Sequence, residues 1–570
     1  MRSRSSFVTC LLLLAVVSAT STVGSAGQSQ GQEKSARTLH VTPAEPVWDD
    51  AARLAELAAR RAKVAEYIGA KSLLVLFSGE PRVYAGDVDY EFRQENNLFY
   101  LTHLNQQGAT LVLVPGATQY REILFLPRRI PSQEVWTGHM YSAEEAYKLS
   151  GVAEIWDAAE FEPFVRALRQ RRLYRPKDES ILRSSTSSTV VTTTTQPTST
   201  SSTLTTSPII AQTTTAQSTS VAQPSSQSSS MQTGGDALAS AMAQGEASLY
   251  LLLPTEAESR EYRQEQNFAA QWARSDRGLT VRNALPIFAQ MRGVKSPAEQ
   301  SLEQHAVDIT VEALERAMSV ANQSRWEYEV ESEVDYTFKR RHADNWGYPS
   351  IVGCGADATT LHYEESSGRL TQGDLMLMDV GAEYAHYSAD VTRTFPVSGK
   401  FSPAQSDIYN AVYAASEAAM QVAKPGATLG EVHNAALASI KESLLRLGLI
   451  TDRNSTQYRL FFMHGTSHWL GMNVHDIDVF ARGQRKFEPG MIFTIEPGIY
   501  VRADALDNLP KTPENQKFID AVRPAFEKYK NIGVRIEDDV LITQEGKRVM
   551  TAALPRSLQE VESTMARLTH

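Results

Sequence analysis

Two apolar runs, each with a carboxylate at its inner end, set the frame for this chain. Leu375-Met376-Leu377-Met378 leads into Asp379, and Asp390 precedes Val391-Thr392-Arg393-Thr394-Phe395. Both runs read as strands, so the stretch predicts a hairpin. The midpoint of the two acids falls at Tyr384-Ala385. A symmetric turn there would set Asp379 directly opposite Asp390 on one face, with Cβ atoms ~5 Å apart. Two carboxylates that close repel unless they share a proton or hold cations.

Three further segments put acids or histidines where a plain core strand would not want them. His464-Gly465-Thr466-Ser467-His468-Trp469 spaces two histidines four apart. A zinc-binding helix is excluded, because the glutamate after the first histidine is missing and Gly465 and Gly471 disfavour helix. The segment reads as a loop running into a strand. Glu496 ends the apolar strand Met491-Ile492-Phe493-Thr494-Ile495, and Pro497 keeps it extended and interrupts pairing. In Val534-Arg535-Ile536-Glu537, period two puts Arg535 and Glu537 on one face.

Taken together, Asp379, Asp390, Glu496, Glu537 and one histidine make a hard, oxygen-rich set. Four carboxylates offset the four positive charges of two divalent ions. Such paired ions sit ~3.5–4 Å apart and activate water at neutral pH. The carboxylate and imidazole mixture suits Mn, Co, Fe or Zn.

The chain around this set has 570 residues, long enough for two domains with accessories. Its net charge of -10 leaves no basic footprint, which argues against a nucleic-acid partner. Residues 1–26 carry Arg2 and Arg4, an apolar core from Phe7 to Val17, and small residues around Ala19 and Ala26. That is the pattern of a cleaved signal peptide, and it predicts a secreted or periplasmic protein with no membrane span. Only Cys10 and Cys354 are present, so the mature chain holds one thiol and no internal disulfide.

Residues 27–48 are polar and are expected to be disordered. Residues 49–288 predict an N-terminal α/β domain: a helix with Leu54, Leu57, Val64 and Ile68 inward, strands at 72–77, 98–102, 110–114, 122–126 and 249–253, and a helix at 142–149. A Ser/Thr-rich insertion at 184–233 has too few large apolar residues to offset its ordering entropy, and is expected to be disordered. Residues 289–570 predict an α+β domain. Its helices open with Ser296-Pro297-Ala298-Glu299, Ser402-Pro403-Ala404-Gln405 and Thr428-Leu429-Gly430-Glu431, and pack behind a largely antiparallel sheet.

The order of these motifs resembles the pita-bread metallopeptidases, and among them the bacterial aminopeptidase P group. The similarity is densest at Val294 to Pro297, Ile351 to Tyr363, Asp379 to Pro396, Phe462 to Gly471, Val474 to Asp476, Thr494 to Gly498 and Gly533 to Asp539. It implies a creatinase-like N-terminal domain and a pita-bread catalytic domain. It implies that Asp379, Asp390, His468, Glu496 and Glu537 hold two divalent ions, with manganese expected first and cobalt, iron or zinc as alternatives. Glu496 would also handle the proton of the attacking water. His362 and His475 would steady the oxyanion and leaving group, and His464 and Arg535 would lie on the substrate side. Asp87 and Trp136 match positions tied to oligomer contacts and to the neighbouring subunit's substrate pocket, in a homo-oligomeric dimer or tetramer.

The implied reaction is removal of the N-terminal residue from peptides with proline second, by a metal-activated hydroxide. An Xaa-Pro dipeptidase is the nearest alternative, and a non-catalytic binding protein on the same scaffold is another. The stretch Tyr363-Glu364-Glu365-Ser366, together with Asn473 and His139, departs from the group's pattern, at positions that bear on substrate or assembly and not on the five ligands.

Overall fold

The computed structural model describes residues 39–117, 121–170, 172, 174–184, 237–254, 261–275, 279–478 and 484–569. The signal peptide expected over 1–26, the start of the stretch expected to be disordered over 27–48, and the Ser/Thr insertion from residue 185 onward lie outside the described residues. The expectation for 27–48 needs correcting at its end. From Leu39 the chain lies against helix Pro297–Val320, where the amides of His40 and Thr42 donate to Glu315 and Glu312 at 2.6 and 2.8 Å. The anchors are backbone N–H groups, which a polar composition does not disclose.

Asp49 caps helix Asp50–Ile68 by accepting from the Ala52 amide, and Leu57, Val64 and Ile68 turn inward. The helix packs on a mixed sheet of seven strands. Their order is Ile181–Arg183, Ile155–Asp157, Glu122–Leu126, Thr110–Leu113, Ser72–Phe77, Ala247–Leu251 and Leu279–Asn283. The strand before the Ser/Thr insertion is at one sheet edge, whereas the strand after it runs parallel to Ser72–Phe77, one strand in from the opposite edge. Residues 98–102, expected as a strand, belong instead to helix Asn96–Thr102. Every residue of that helix is buried, so the sequence shows no apolar face, and the Glu95 cap is the only local helix signal.

The second half follows its helix signals. Ser296 and Ser402 each close a capping box, and Thr428 caps helix Leu429–Arg446 by accepting from the Glu431 amide. The strand pairs of this half are antiparallel throughout. One core joins Ile309, Met378, Val412 and Phe493 behind them. A second apolar cluster spans the two halves, bringing Leu98 and Phe99 against Tyr387 and Met472.

Candidate metal centre

The predicted hairpin forms, with a register different from the expected one. Strand Leu375–Val380 pairs with Val391–Pro396 so that Asp379 faces Thr392 and Val380 faces Val391. The same register resumes as Glu383 opposite Ser388 and Tyr384 opposite Tyr387. The turn is therefore Ala385-His386, with φ of 49° and 68°, the left-handed pair of a type I′ turn. No Gly or Asn marks those positions, so the sequence placed the turn one residue early. Asp390 falls across from Gly381, where a Cβ would sit 1.9 Å from the Ala389 carbonyl oxygen. The two aspartates are diagonal neighbours on one face, a separation side chains still bridge.

What bridges them is Tyr348. Its hydroxyl lies 2.5 Å from Asp379 Oδ1 and 2.6 Å from Asp390 Oδ1. Burial, then the charges of Asp379, Asp390 and Glu537, push the phenol well up, so it keeps its proton. One O–H can donate to only one carboxylate at a time, so both short contacts are favourable when the pair also holds a proton or a cation. Burial and the nearby Asp379 charge push Asp390 up accordingly. Behind them Arg535 donates from Nη2 to Asp379 Oδ2 at 2.5 Å, from Nη1 to Tyr500 at 2.8 Å and from Nε to Thr392 at 3.1 Å.

The histidine loop is held along the strand Ile492–Ile495. Glu496 N donates to Thr466 O, Thr494 N to His468 O and Leu470 N to Ile492 O, at 2.8, 3.0 and 3.1 Å. Alternate residues of that ladder share a side. His468 and Glu496 accordingly meet, with Nε2 3.8 Å from Glu496 Oε1 and 3.2 Å from Asp390 Oδ2. Burial alone would lower His468, but its hydrogen bond to Asp390 and the charges of Asp390 and Glu496 push it up to about 9. His464 stands on the other side of Glu496, its Nδ1 3.4 Å from Oε2 and its Nε2 2.9 Å from the Tyr500 hydroxyl.

Glu537 completes the set from the break between strands Gly533–Arg535 and Asp538–Ile542. It accepts from the Thr392 hydroxyl at 2.7 Å. Burial, then the charges of Asp390, Asp379 and Glu496, push it well above the usual carboxylate range. Asp390, His468 and Glu537 each offer an atom within 4.8 Å of the others. Mutually repelling buried oxygens beside one imidazole are the donor chemistry of a hard divalent ion, and the residues present fit that group.

The remaining predicted residues divide. The His475 ring lies 4.1 Å from that of His468, tilted by 55°. Loss of water around its ring, then the His468 charge, push it down, with His362 contributing in the same direction. Both residues are exposed. Arg535 does not face a substrate: it is buried and its donors serve Asp379, Tyr500 and Thr392, so it supports the site from behind. Asp87 sits on an exposed turn between Val83–Ala85 and Val88–Asp89, and Trp136 is 88% exposed. Neither shares a hydrogen bond or ion pair with the five carboxylate and histidine residues.

Sequence reasoning missed Tyr348, Thr392, Tyr500 and Asp539. Asp539 is fully buried and accepts from the Asp390 amide at 3.1 Å. Thr392 and Asp539 are polar residues in the fully buried strands Val391–Pro396 and Asp538–Ile542, while Tyr348 arrives from a loop with no periodicity to flag it.

The model of metallopeptidase family M24 matches residues 302–544, and that of the aminopeptidase P N-terminal domain matches residues 57–174. The chain is 31% identical over 516 residues to the Xaa-Pro aminopeptidase of Haemophilus influenzae, covering 90% of this chain and 97% of that protein. It is 29% identical over 518 residues to the Xaa-Pro aminopeptidase of Escherichia coli, with the same coverage of 90% and 97%. Among solved structures, E. coli aminopeptidase P with the inhibitor Pro-Leu superposes with a TM-score of 0.69 at 27% identity, covering 92% of this chain and 99% of that one.

Proposed function

This chain belongs to metallopeptidase family M24, and we propose that it acts as an Xaa-Pro aminopeptidase, a metal-dependent hydrolase that removes the N-terminal residue when proline is second. The observation that carries this is the convergence of Asp379, Asp390, His468, Glu496 and Glu537 from four separate segments onto one face. Five intact donors speak against a non-catalytic scaffold.

Divalent ions held by these five residues would supply Lewis acidity for the attacking water and the scissile carbonyl. The chain's own groups do the rest. Glu496, beside His464 and opening toward solvent, takes the proton of the attacking water at its carboxylate. His475, held toward its neutral form beside His468, has an N–H to offer the carbonyl oxygen as charge develops there. We assign His362, exposed and near enough to His475 for their charges to interact, to supply the proton that the leaving nitrogen acquires. Proline's nitrogen carries no N–H in the peptide, so a site for it needs no acceptor at that position.

Manganese is the metal we assign, as the resemblance to the aminopeptidase P group implies; four carboxylates and one imidazole suit it, as they also suit cobalt, iron or zinc. We assign a homo-oligomer, dimer or tetramer, because Val83, Tyr84, Val88, Tyr90, Val135 and Trp136 are exposed apolar side chains flanking Asp87 and the Trp136 helix. Export follows from the signal pattern over 1–26, and no helix among the described residues is long and apolar enough to cross a membrane.

Metal analysis of the purified protein, run beside a panel of Xaa-Pro and Xaa-Pro-Yaa peptides with and without chelator, tests the reading. Cleavage of the longer peptides, lost with chelator and restored by manganese, is expected. Cleavage of the dipeptide alone would make it a dipeptidase, and bound metal without hydrolysis would make it a binding protein.

A further inference from the structure

The hairpin and the histidine loop that carry three of the five donors are joined to each other by side chains from the other domain. Asn96, at the start of helix Asn96–Thr102, donates from Nδ2 to the Met472 carbonyl at 2.9 Å. That fixes its amide, so Oδ1 is the atom 3.0 Å from His386 Nδ1, and His386 is the donor. Burial, then the charges of Arg93, His103 and Arg292, hold His386 neutral, leaving its one ring proton for this bond. Arg93 repeats the pattern. Its Nε and Nη2 donate to the Glu383 carboxylate at 2.8 and 2.6 Å, and Nη2 also reaches the Met472 carbonyl at 3.1 Å. Both residues therefore bond at once to the hairpin tip and to the stretch just past His468.

The hairpin tip shows what this contact costs. Ala385 and His386 both take positive φ, though neither is glycine. A side chain beyond glycine is unfavourable at such φ and persists there where the surroundings over-determine it. Here the surroundings are the Phe99 ring, stacked 3.8 Å from His386 at 17°, and the Asp344 carboxylate, which accepts from the His386 amide at 3.0 Å. Farther along, Ser388 N donates to Gly471 O at 2.9 Å, so the two segments touch directly between the clamp and the pair Asp390 and His468.

We propose that Asn96 is a positioning residue for the metal centre: with Arg93 and His386 it clamps the Asp379–Asp390 hairpin to the His468 loop, so that the N-terminal domain sets part of the affinity for divalent ions. The proposal rests on the reading of the five residues as metal ligands. Side chains that hydrogen-bond to metal ligands change affinity or activity about 10–100-fold when removed; the clamp acts one contact farther out, through Met472, His386 and Glu383, so the lower end of that range is expected.

The test uses the full chain, stripped of metal and titrated with Mn(II) alone by calorimetry, with melting temperature measured in parallel. Asn96→Ala is expected to weaken Mn(II) binding about 10-fold, with kcat recovering at saturating Mn(II), and to speed amide exchange at Ser388 and Asp390 in the metal-free protein. His386→Gly removes the unfavourable φ and the stack together. A role in the turn alone would leave its Mn(II) affinity unchanged and raise its melting temperature, whereas the clamp predicts weaker binding. Thr102→Ala, at the far end of the same helix, loses the hydroxyl bond to Leu98 O and is the control for general destabilisation. Unchanged affinity in Asn96→Ala, or an equal loss in Thr102→Ala, overturns the clamp. Absence of Mn(II) binding in the parent protein would instead overturn the ligand assignment on which it rests.

Discussion

Thr392 faces Asp379 across the hairpin, and its hydroxyl donates to Glu537 at 2.7 Å while accepting from Arg535 Nε at 3.1 Å. One small side chain thus links two acids of the centre to the arginine that holds one of them. Replacing it with valine keeps the β-branched shape and removes both bonds. A buried hydrogen bond to a charged group is worth about 1.5–3 kcal/mol. Thr392→Val is expected to lower kcat/KM about 10–100-fold with an unchanged circular dichroism spectrum. Parent-like kinetics would show that Glu537 needs no such anchor.

Glu496 has two duties, as ligand and as the proton acceptor beside His464. Glu496→Gln keeps the shape and removes the base, and turnover is expected to fall at least 10²–10⁴-fold, roughly the usual size of a general-base contribution. Glu496→Ala is expected to abolish turnover and to lower bound metal per chain, read by elemental analysis. Near-normal turnover in either variant would remove Glu496 from the mechanism.

The insertion is flanked by elements that have their own partners. Strand Ile181–Arg183 pairs with Ile155–Asp157, and strand Ala247–Leu251 pairs with Ser72–Phe77 and Leu279–Asn283. Replacing 188–233 by a Gly/Ser linker of about 15 residues, which behaves as a flexible coil, is expected to leave the melting temperature and kcat/KM close to those of the parent. A large loss in either would give the tract a structural or substrate-binding duty.

Asp379, Asp390 and Glu496 were legible because each stands at the end of an apolar run, where a carboxylate has no packing reason to be, and Glu537 because period two set it beside Arg535. Helix caps at Ser296, Ser402 and Thr428 were legible for a similar reason, since serine or threonine followed by an acid or amide at N3 has a direct hydrogen-bonding use. The register of the hairpin was not. Ala385 and His386 adopt left-handed φ because Phe99, Asn96 and Asp344 hold them there, and those contacts come from almost 300 residues upstream or from another loop. The same limit applied to Arg535. Its place on the site's face followed from period two, but its burial behind Asp379 depends on Tyr500 and Thr392 filling its other donors.

Glu312 ties the N-terminal arm to the catalytic half, and its titration gives a stability test away from the metal centre. The carboxylate is buried and accepts from Arg341 Nε and Nη2 at 2.7 and 3.0 Å, from Arg316, and from both the amide and the hydroxyl of Thr42 at 2.8 Å. Burial pushes the carboxyl up, but the hydrogen bonds from Arg341, Thr42 and Arg316 outweigh it and hold it down at about 2. In the unfolded chain the same group titrates near 4.5. A folded value below the unfolded one means that the stabilisation is complete above pH ~4.5 and is lost as pH falls toward 2. The shift corresponds to roughly 3 kcal/mol. Glu312→Gln cannot titrate, so the parent's advantage in melting temperature over this variant is expected to be constant from pH 7 to about 5 and to shrink steadily below that. An advantage that stays the same down to pH 3 would mean that the carboxylate's charge contributes nothing to holding the arm.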